Sequence, residues 1–373
     1  MSPVGSVLVV GASAAGLATA EGLRRKGYEG ALTLLEAEPE LPCDRPPLSN
    51  QVLNGQWEET RAQLRSAQAL DALDAAFVLG DAAISFNAER REVSTASGRV
   101  LHAVVIATGV GASLLPARRE VRGTHVIRTL GDAAVLRTEL LSARRVVVIG
   151  DGALGAETAA TARQRGRPVT LVGPQTVPMA RHLGALAAGQ LAELHRRNGV
   201  RLLGGVLPDT LHTRDGRVAG VRLSDGTELE AAVVIVAIGC RPATEWLQGS
   251  GRRSPLAPRR ARALAAPGKP DQRGRPGPRR RRGHPRNRRA YRPVPHFWTD
   301  QFDARLQIHG IISPDARAEI VEGDPRAGRF VVRYTGSDGP EGVLGWNMPR
   351  QTRLRRVELT GRYTLPRETA DAG

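Results

Sequence analysis

Cysteine is nearly missing from this chain. Cys43 and Cys240 are its two thiols, and neither sits in a Cys-x-x-Cys or longer paired spacing. This excludes a disulfide framework, a cysteine zinc site and a redox-active dithiol, and it fits a reducing, cytoplasmic compartment. Aromatic residues make up only 3% of the sequence, so any core must be largely aliphatic. No apolar run is long enough to cross a bilayer: the longest, Val7 to Ala20, falls short of the ~20 residues a membrane helix needs. Nor is that run expected to be a secretory signal, because no Lys or Arg precedes it. The eight histidines show no metal-ligand spacing, and Ser, His and Asp form no nucleophile elbow, so neither a metal centre nor serine-hydrolase chemistry is expected.

Positive charge is abundant, but mostly in one place. The net charge is +17, and Arg252 to Pro293 carries +15 of it through 15 Arg and one Lys against one Asp. The rest of the chain is near neutral. In that segment Arg, Pro, Gly and Ala supply 33 of 42 residues, and neither the helix nor the strand period survives. Such a stretch cannot bury enough apolar surface to offset its ordering entropy, so disorder or poor packing is expected. Clustered Arg from Arg252 to Arg292 would attract nucleic acid non-specifically. A specific nucleic-acid partner is not expected, because only Tyr291 is available for base stacking.

What the chain does contain is a nucleotide-binding pattern, twice. Val7 to Val10 reads as a buried parallel strand. Gly11-Ala-Ser13-Ala14-Ala15-Gly16 follows as G-x-S-x-x-G: Gly11 turns the chain, Ser13 is small enough to admit a pyrophosphate, and Gly16 lets the next helix, Leu17 to Arg25, pack closely. That helix N-terminus supplies free N–H groups and partial positive charge. A second strand, Ala31 to Leu35, ends at Glu36 and Glu38, where an acid can bind a ribose hydroxyl. Without a ligand, the same pattern would be an ordinary tight strand–helix turn.

Leu41 to Ser49 is a proline-rich loop, expected to lack regular structure. Glu58 to Leu73 looks helical. Ala75 to Ala83 and Arg91 to Thr95 read as short strands, and Val104 to Gly109 as a buried strand ending in Ala107-Thr108-Gly109. The nucleotide pattern then recurs: a strand from Arg145, a complete Gly150-Asp-Gly152-Ala-Leu154-Gly155, a helix from Ala156 to Arg165, and a strand from Val169 to Val172. Gly173 and Pro174 stand where an acid would select NAD or an Arg would favour NADP, so the sequence leaves that choice open. A hairpin is expected around Ser224-Asp-Gly226, and a strand from Val233 to Gly239. After the Arg-rich block, short alternating strands from His296 to Trp346 suggest a small cap domain.

With these residues in hand, the chain resembles the FAD-dependent NAD(P)H:ferredoxin reductases of the putidaredoxin-reductase and aromatic-dioxygenase-reductase type, in the pyridine nucleotide-disulfide oxidoreductase fold. The stretches that carry the resemblance are Val9 to Gly16, Arg45-Pro-Pro-Leu-Ser49, Ala107 to Gly109, Arg128-Thr-Leu130, Gly150 to Glu157, Gly239 to Pro242 with Thr244-Glu-Trp246, and Phe297 to Gln301. The resemblance implies an α/β chain with two Rossmann-like dinucleotide-binding domains, glutathione-reductase-like, and a small C-terminal α+β domain. Its implied division is 1–113 for the first part of an FAD-binding domain and 114–238 for an NAD(P)-binding domain. A degraded FAD-domain return would follow at 239–295, disordered from 252, and then a C-terminal reductase domain at 296–373.

The resemblance further implies that Gly11, Ser13, Ala14, Ala15, Gly16, Glu36, Glu38, Arg45, Asn50, Ala83, Ala107, Thr108, Gly109, Arg128 and Gly239 border FAD. NAD(P)H would lie on Gly150, Gly152, Leu154 and Gly155. Glu157 matches the family's acid near flavin and nicotinamide, against the plainer reading of a solvated helix acid. Trp298 matches the aromatic beside the isoalloxazine, against plain core. The implied partner is a ferredoxin-like iron–sulfur protein, with no membrane involved. Two departures stand out. Asn50 replaces the family's Lys after Arg-Pro-Pro-Leu-Ser. The family's second FAD motif, with its Gly-Asp and Glu-His-Trp-like stretch, is missing where the Arg-rich block stands, which reads as a shifted frame or deletion. Loss of that Asp alone would weaken FAD binding by about 10- to 100-fold. An inactive remnant without tight FAD binding and an Arg-rich binding protein are therefore the competing readings.

Overall fold

The structure is a computed structural model that describes residues 5–102, 104–115, 121–248 and 293–363. The disorder expected from Arg252 onward falls outside those residues. The chain packs as two units, Met1–Pro178 with Ala192–Ala261, and Met179–Leu191 with Arg262–Gly373.

The first unit opens with β1 (Ser6–Val10), α1 (Ala14–Arg25) and β2 (Ala31–Leu35). Leu8, Val9 and Val10 are all buried, as a parallel strand covered on both faces requires. Two short helices, α2 (Gln51–Asn54) and α3 (Ala67–Asp71), lead to β3 (Ala76–Val78). Then come β4 (Ala83–Asn87), β5 (Glu92–Thr95), β6 (Val100–His102) and β7 (Val104–Ile106). The parallel sheet runs β3-β2-β1-β7, and β4-β5-β6 form a separate antiparallel sheet.

Three expectations change here. Glu58 to Leu73 is not one helix: a 3-10 turn over Glu59–Ala62 and α3 are split by extended backbone. Gln63 bridges Cys43, and the Leu64 amide donates to the Pro42 carbonyl at 2.9 Å, so long-range pairing overrides the helical period. The proline-rich loop does contain regular structure, because Pro46–Ser49 forms a 3-10 turn in which proline presets φ. Ala75 to Ala83 is not one strand either: β3 joins the parallel sheet while Ala83 starts the hairpin.

The second half of this unit begins with β8 (Val110–Ala112), β9 (Thr124–His125) and α4 (Leu130–Ser142). A capping box starts α4: the Asp132 amide donates to the Thr129 hydroxyl (3.0 Å), and the Thr129 amide to the Asp132 carboxylate (2.8 Å). It continues through β10 (Val146–Ile149), α5 (Ala153–Gln164), β11 (Val169–Gly173), the later part of α6 (Ala180–Arg197), whose residues 180–191 belong to the second unit, and β12 (Val200–Gly204). The expected hairpin is a three-stranded meander of β13 (Pro208–Arg214), β14 (Arg217–Leu223) and β15 (Glu228–Glu230). Finally β16 (Val233–Val236) completes a parallel sheet ordered β12-β11-β10-β16-β9. The chain then returns to the first half. β17 (Cys240–Pro242) pairs with β8, and Trp246 and Leu247 pack on Leu8, Val10 and Leu35.

In the second unit, β18 (His296–Gln301), β19 (Ala304–Gly310), β20 (Arg317–Asp324), β21 (Arg329–Gly336) and β22 (Gly339–Trp346) form an antiparallel sheet. Its order is β18-β19-β22-β21-β20, and α7 (Pro349–Arg355) and α8 (Thr360–Tyr363) follow. Phe330 stacks on Trp346 (5.4 Å), and the Tyr334 hydroxyl donates to the Leu183 carbonyl next to Gly184, where α6 breaks at φ 68.

His309, buried in this sheet, stacks on His296 at 4.3 Å. Burial first, then His296, Arg356 and Arg353, push its pKa down from 6.5 to about 4. As pH falls through that window the unfolded chain takes up a proton that the folded ring refuses. Stability present above pH 6.5 is therefore lost toward pH 4, by up to about 3 kcal/mol. Calorimetry across this range is expected to show a falling melting temperature for the wild type and a flatter profile for His309→Gln.

Candidate functional site

The first cradle is built where β1 meets α1. Gly11 has φ +101, and a Cβ there would lie 2.3 Å from the Ala107 carbonyl oxygen. A Cβ on Gly16 would lie 1.8 Å from that of Gly11. Both glycines are therefore required for the close strand–helix approach that a dinucleotide fingerprint needs. Ser13 occupies the N-cap of α1 without a side-chain cap bond, and Ala14 and Ala15 are exposed in its first turn, whose amides have no intrahelical acceptor. At the strand end, Glu36 accepts from the Ala12 amide (2.8 Å) and the Ala37 amide (2.9 Å).

Two guanidinium groups lie beside this acid. Arg45 is held bidentately by Glu38 (2.7 and 2.6 Å) and donates to the Arg128 carbonyl at 2.9 Å. Arg128 donates to the Val110 carbonyl (2.7 Å), and among the described residues it has no carboxylate partner. Burial works against the charge on both. For Arg45 the Glu38 carboxylate more than offsets it, whereas burial and the neighbouring Arg45 lower the pKa of Arg128. A half-buried guanidinium with no salt-bridge partner among the described residues suits an anionic ligand, and together with the open N-terminus of α1 these residues fit FAD.

The remaining first-cradle residues are mostly committed to the frame. The Thr108 hydroxyl donates to the Ala243 carbonyl (2.6 Å), and the Ala243 amide to Gly109 (3.1 Å), tying the Ala107 loop to the returning chain. Gly239 accepts from the Ser113 amide (2.9 Å). Ala83 lies two residues past Asp81, whose amide donates to the Glu36 carbonyl (3.0 Å).

The second cradle repeats the first. A Cβ on Gly150 would meet the Ala237 carbonyl oxygen at 2.2 Å, and one on Gly155 that of Gly150 at 1.7 Å. Gly152 caps α5 with open space beside it, and Leu154 is exposed in the first turn. These residues fit a nicotinamide dinucleotide. Asp151, unremarked in the sequence, is buried. It accepts from the Gln175 backbone amide and side-chain amide, both at 2.7 Å.

The two halves meet at Glu157. The Ser49 hydroxyl donates to Glu157 Oε2 (2.7 Å), and the Thr161 hydroxyl to the Ser49 carbonyl (2.9 Å). Arg165 reaches the Asn54 carbonyl (2.8 Å). Glu157 is thus not a freely solvated helix acid, and buried Ser49 is a second residue the sequence did not single out. Asn50 starts α2 in the place of the family's lysine. In the other unit Trp298 is 45% exposed and stacked on His296 (5.6 Å), so it is not a core residue. Among the described residues no three potential metal ligands cluster, and no helix is long and apolar enough to cross a membrane.

Comparison with known proteins agrees with this geometry. The family described as pyridine nucleotide-disulphide oxidoreductase matches residues 5–258, and the reductase C-terminal family matches 296–372. Rhodocoxin reductase of Rhodococcus erythropolis is 30% identical, covering 98% of this chain and 92% of its own. The ferredoxin–NAD(+) reductase component of the anthranilate 1,2-dioxygenase system of Burkholderia cepacia is also 30% identical, over 98% of this chain and 96% of its own. Among solved structures, the covalent complex of putidaredoxin reductase with putidaredoxin is similar at a TM-score of 0.80 and 26% identity. That match covers 96% of this chain and 93% of the other.

Proposed function

Because this chain belongs to the pyridine nucleotide-disulphide oxidoreductase family, we propose that it serves as an FAD-dependent NAD(P)H:ferredoxin reductase with a ferredoxin-like iron–sulfur protein as electron acceptor. The observation that carries this reading is the pair of cradles joined at Glu157 and Ser49. Bound there, FAD and NAD(P)H supply hydride transfer followed by single-electron delivery, chemistry that belongs to the cofactors. The protein's part is to bind and orient. Gly11 to Gly16 and the N-terminus of α1 receive the flavin's pyrophosphate, with Arg128 and Arg45 adding charge and Glu36 an acceptor for ribose. Gly150 to Gly155 and α5 do the same for the nicotinamide dinucleotide. Ser49 fixes the rotamer of Glu157 by donating to Oε2, keeping that carboxylate at the junction of the two halves.

The two free cysteines, Cys43 buried and Cys240 exposed, support a reductase without a catalytic disulfide and a cytoplasmic setting. The domain division we favour has boundaries at 113/114, 238/239 and 295/296, with Trp298 as the exposed aromatic of the C-terminal domain. A second reading, a remnant without tight FAD binding, rests on residues 259–295, which lie outside both family matches.

Purification separates the two. An active reductase is expected to show flavin absorbance, at least after FAD is added, and to lose it when NADH is added without oxygen. A protein that stays colourless with added FAD and leaves NADH unconsumed would establish the remnant. A colourless protein retained on DNA at low salt would instead favour the Arg-rich binding reading.

A further inference from the structure

The two cradles can be aligned bond by bond. The Gly11 amide donates to the Leu35 carbonyl (2.7 Å) and the Gly150 amide to the Val172 carbonyl (2.8 Å). Gly150 therefore corresponds to Gly11, Asp151 to Ala12, and Gly173 to Glu36. In the first cradle the acid stands at the strand end and accepts from the amide of the fingerprint residue, Ala12. In the second cradle the arrangement is reversed. The strand end is Gly173, and the fingerprint residue, Asp151, carries the acid.

The exchange is also spatial. A Cβ placed on Gly173 would lie 2.2 Å from Asp151 Cγ and 2.3 Å from Asp151 Oδ2. The Asp151 carboxylate thus fills the volume where a strand-end side chain would begin. Its oxygens accept from the Gln175 amide and the Gln175 side chain, much as Glu36 accepts from the Ala37 amide. Each oxygen keeps a further acceptor site. The group is 6% exposed, and among the described residues no Lys or Arg forms an ion pair with it.

From this geometry we infer that Asp151 is the specificity-determining acid of the nicotinamide site, relocated from the strand end to the fingerprint loop, and that it selects NADH over NADPH. This rests on the assignment of the second cradle to the nicotinamide dinucleotide. A carboxylate at this place accepts from a ribose 2′-hydroxyl and repels a 2′-phosphate. An uncharged group there would do neither as strongly.

The test is binding, not turnover. Isothermal titration of the full chain with ADP-ribose and with 2′-phospho-ADP-ribose reads the preference directly. The wild type is expected to bind ADP-ribose about tenfold or more tighter, and Asp151→Asn to bring the two affinities within about threefold. Asparagine keeps the shape and still accepts from the Gln175 backbone, and the Gln175 side-chain amide can turn to meet it. Near-ultraviolet circular dichroism checks the fold. The double variant Asp151→Gly with Gly173→Glu restores an acid at the strand end once the obstructing carboxylate is gone, and it is expected to regain the preference. If Asp151→Asn does not fold, the wild-type ratio and the double variant decide. Equal wild-type affinities, an Asp151→Asn ratio as large as the wild type's, or a double variant without preference would each overturn the inference. Failure of both compounds to bind the wild type would overturn the nicotinamide assignment as well.

Discussion

Gly11→Ala is expected to yield protein without bound FAD that melts well below the wild type. Two costs add at this position. Alanine at φ +101 leaves the region that L-residues favour, at about 1–2 kcal/mol. Its Cβ would also sit 2.3 Å from the Ala107 carbonyl oxygen and 2.6 Å from the carbon that bears it. Those are backbone atoms of β7's exit loop, and they cannot move without pulling Thr108 from the Ala243 carbonyl. The combined loss is about 3 kcal/mol or more. Gly27 separates the two costs, because it has φ +80 but nothing within 4 Å of a Cβ. Gly27→Ala is expected to cost about 1 kcal/mol and keep its flavin. Calorimetry and the flavin spectrum of the three proteins decide the matter. Equal flavin content and melting temperature for Gly11→Ala and wild type would show that the cradle is not closed in this way.

The second large effect is expected at Trp246. It is 8% exposed, packs edge-on to Phe86 at 6.1 Å, and lies with Leu247 on Leu8, Val10 and Leu35. Together with Leu247 and the pairing of β17 with β8, it anchors the chain, having completed the second sheet, to the first. Trp246→Ala removes a large ring from a site bounded by strands that cannot easily collapse, at about 3–5 kcal/mol. The melting temperature is expected to fall by roughly 10 °C. Trp298→Ala is the control: exposed as it is, that change is expected to leave stability within about 0.5 kcal/mol. If both variants melt with the wild type, the returning segment is not held by this contact.

How much of this was readable from sequence differs by kind of feature. The parallel strands were plain because Val-rich runs such as Val146–Ile149 must be buried on both faces, and β2 falls at Ala31–Leu35 as expected. The fingerprint glycines were plain because the chain geometry leaves them no alternative. Glu58 to Leu73 misled, because its apolar spacing is helical while the Leu64 amide bonds to Pro42, a partner that local periodicity cannot reveal. Ser49 passed unnoticed for a similar reason: its link to Glu157 spans 108 residues. Asp151 left one signal that could have been used. An acid inside the fingerprint, combined with a glycine where the acid should be, is a paired departure, and either half alone looks incidental.

That pairing also bears on how the site can change over time. Because the Asp151 carboxylate occupies the start of any side chain at 173, the two positions cannot be substituted in an arbitrary order. A side chain gained at 173 while the aspartate remains must displace that carboxylate from its place beside the second fingerprint. One that first gives up the aspartate passes through an ancestor with no acid at all. The unobstructed route between the two arrangements therefore passes, in either direction, through a temporarily indiscriminate intermediate.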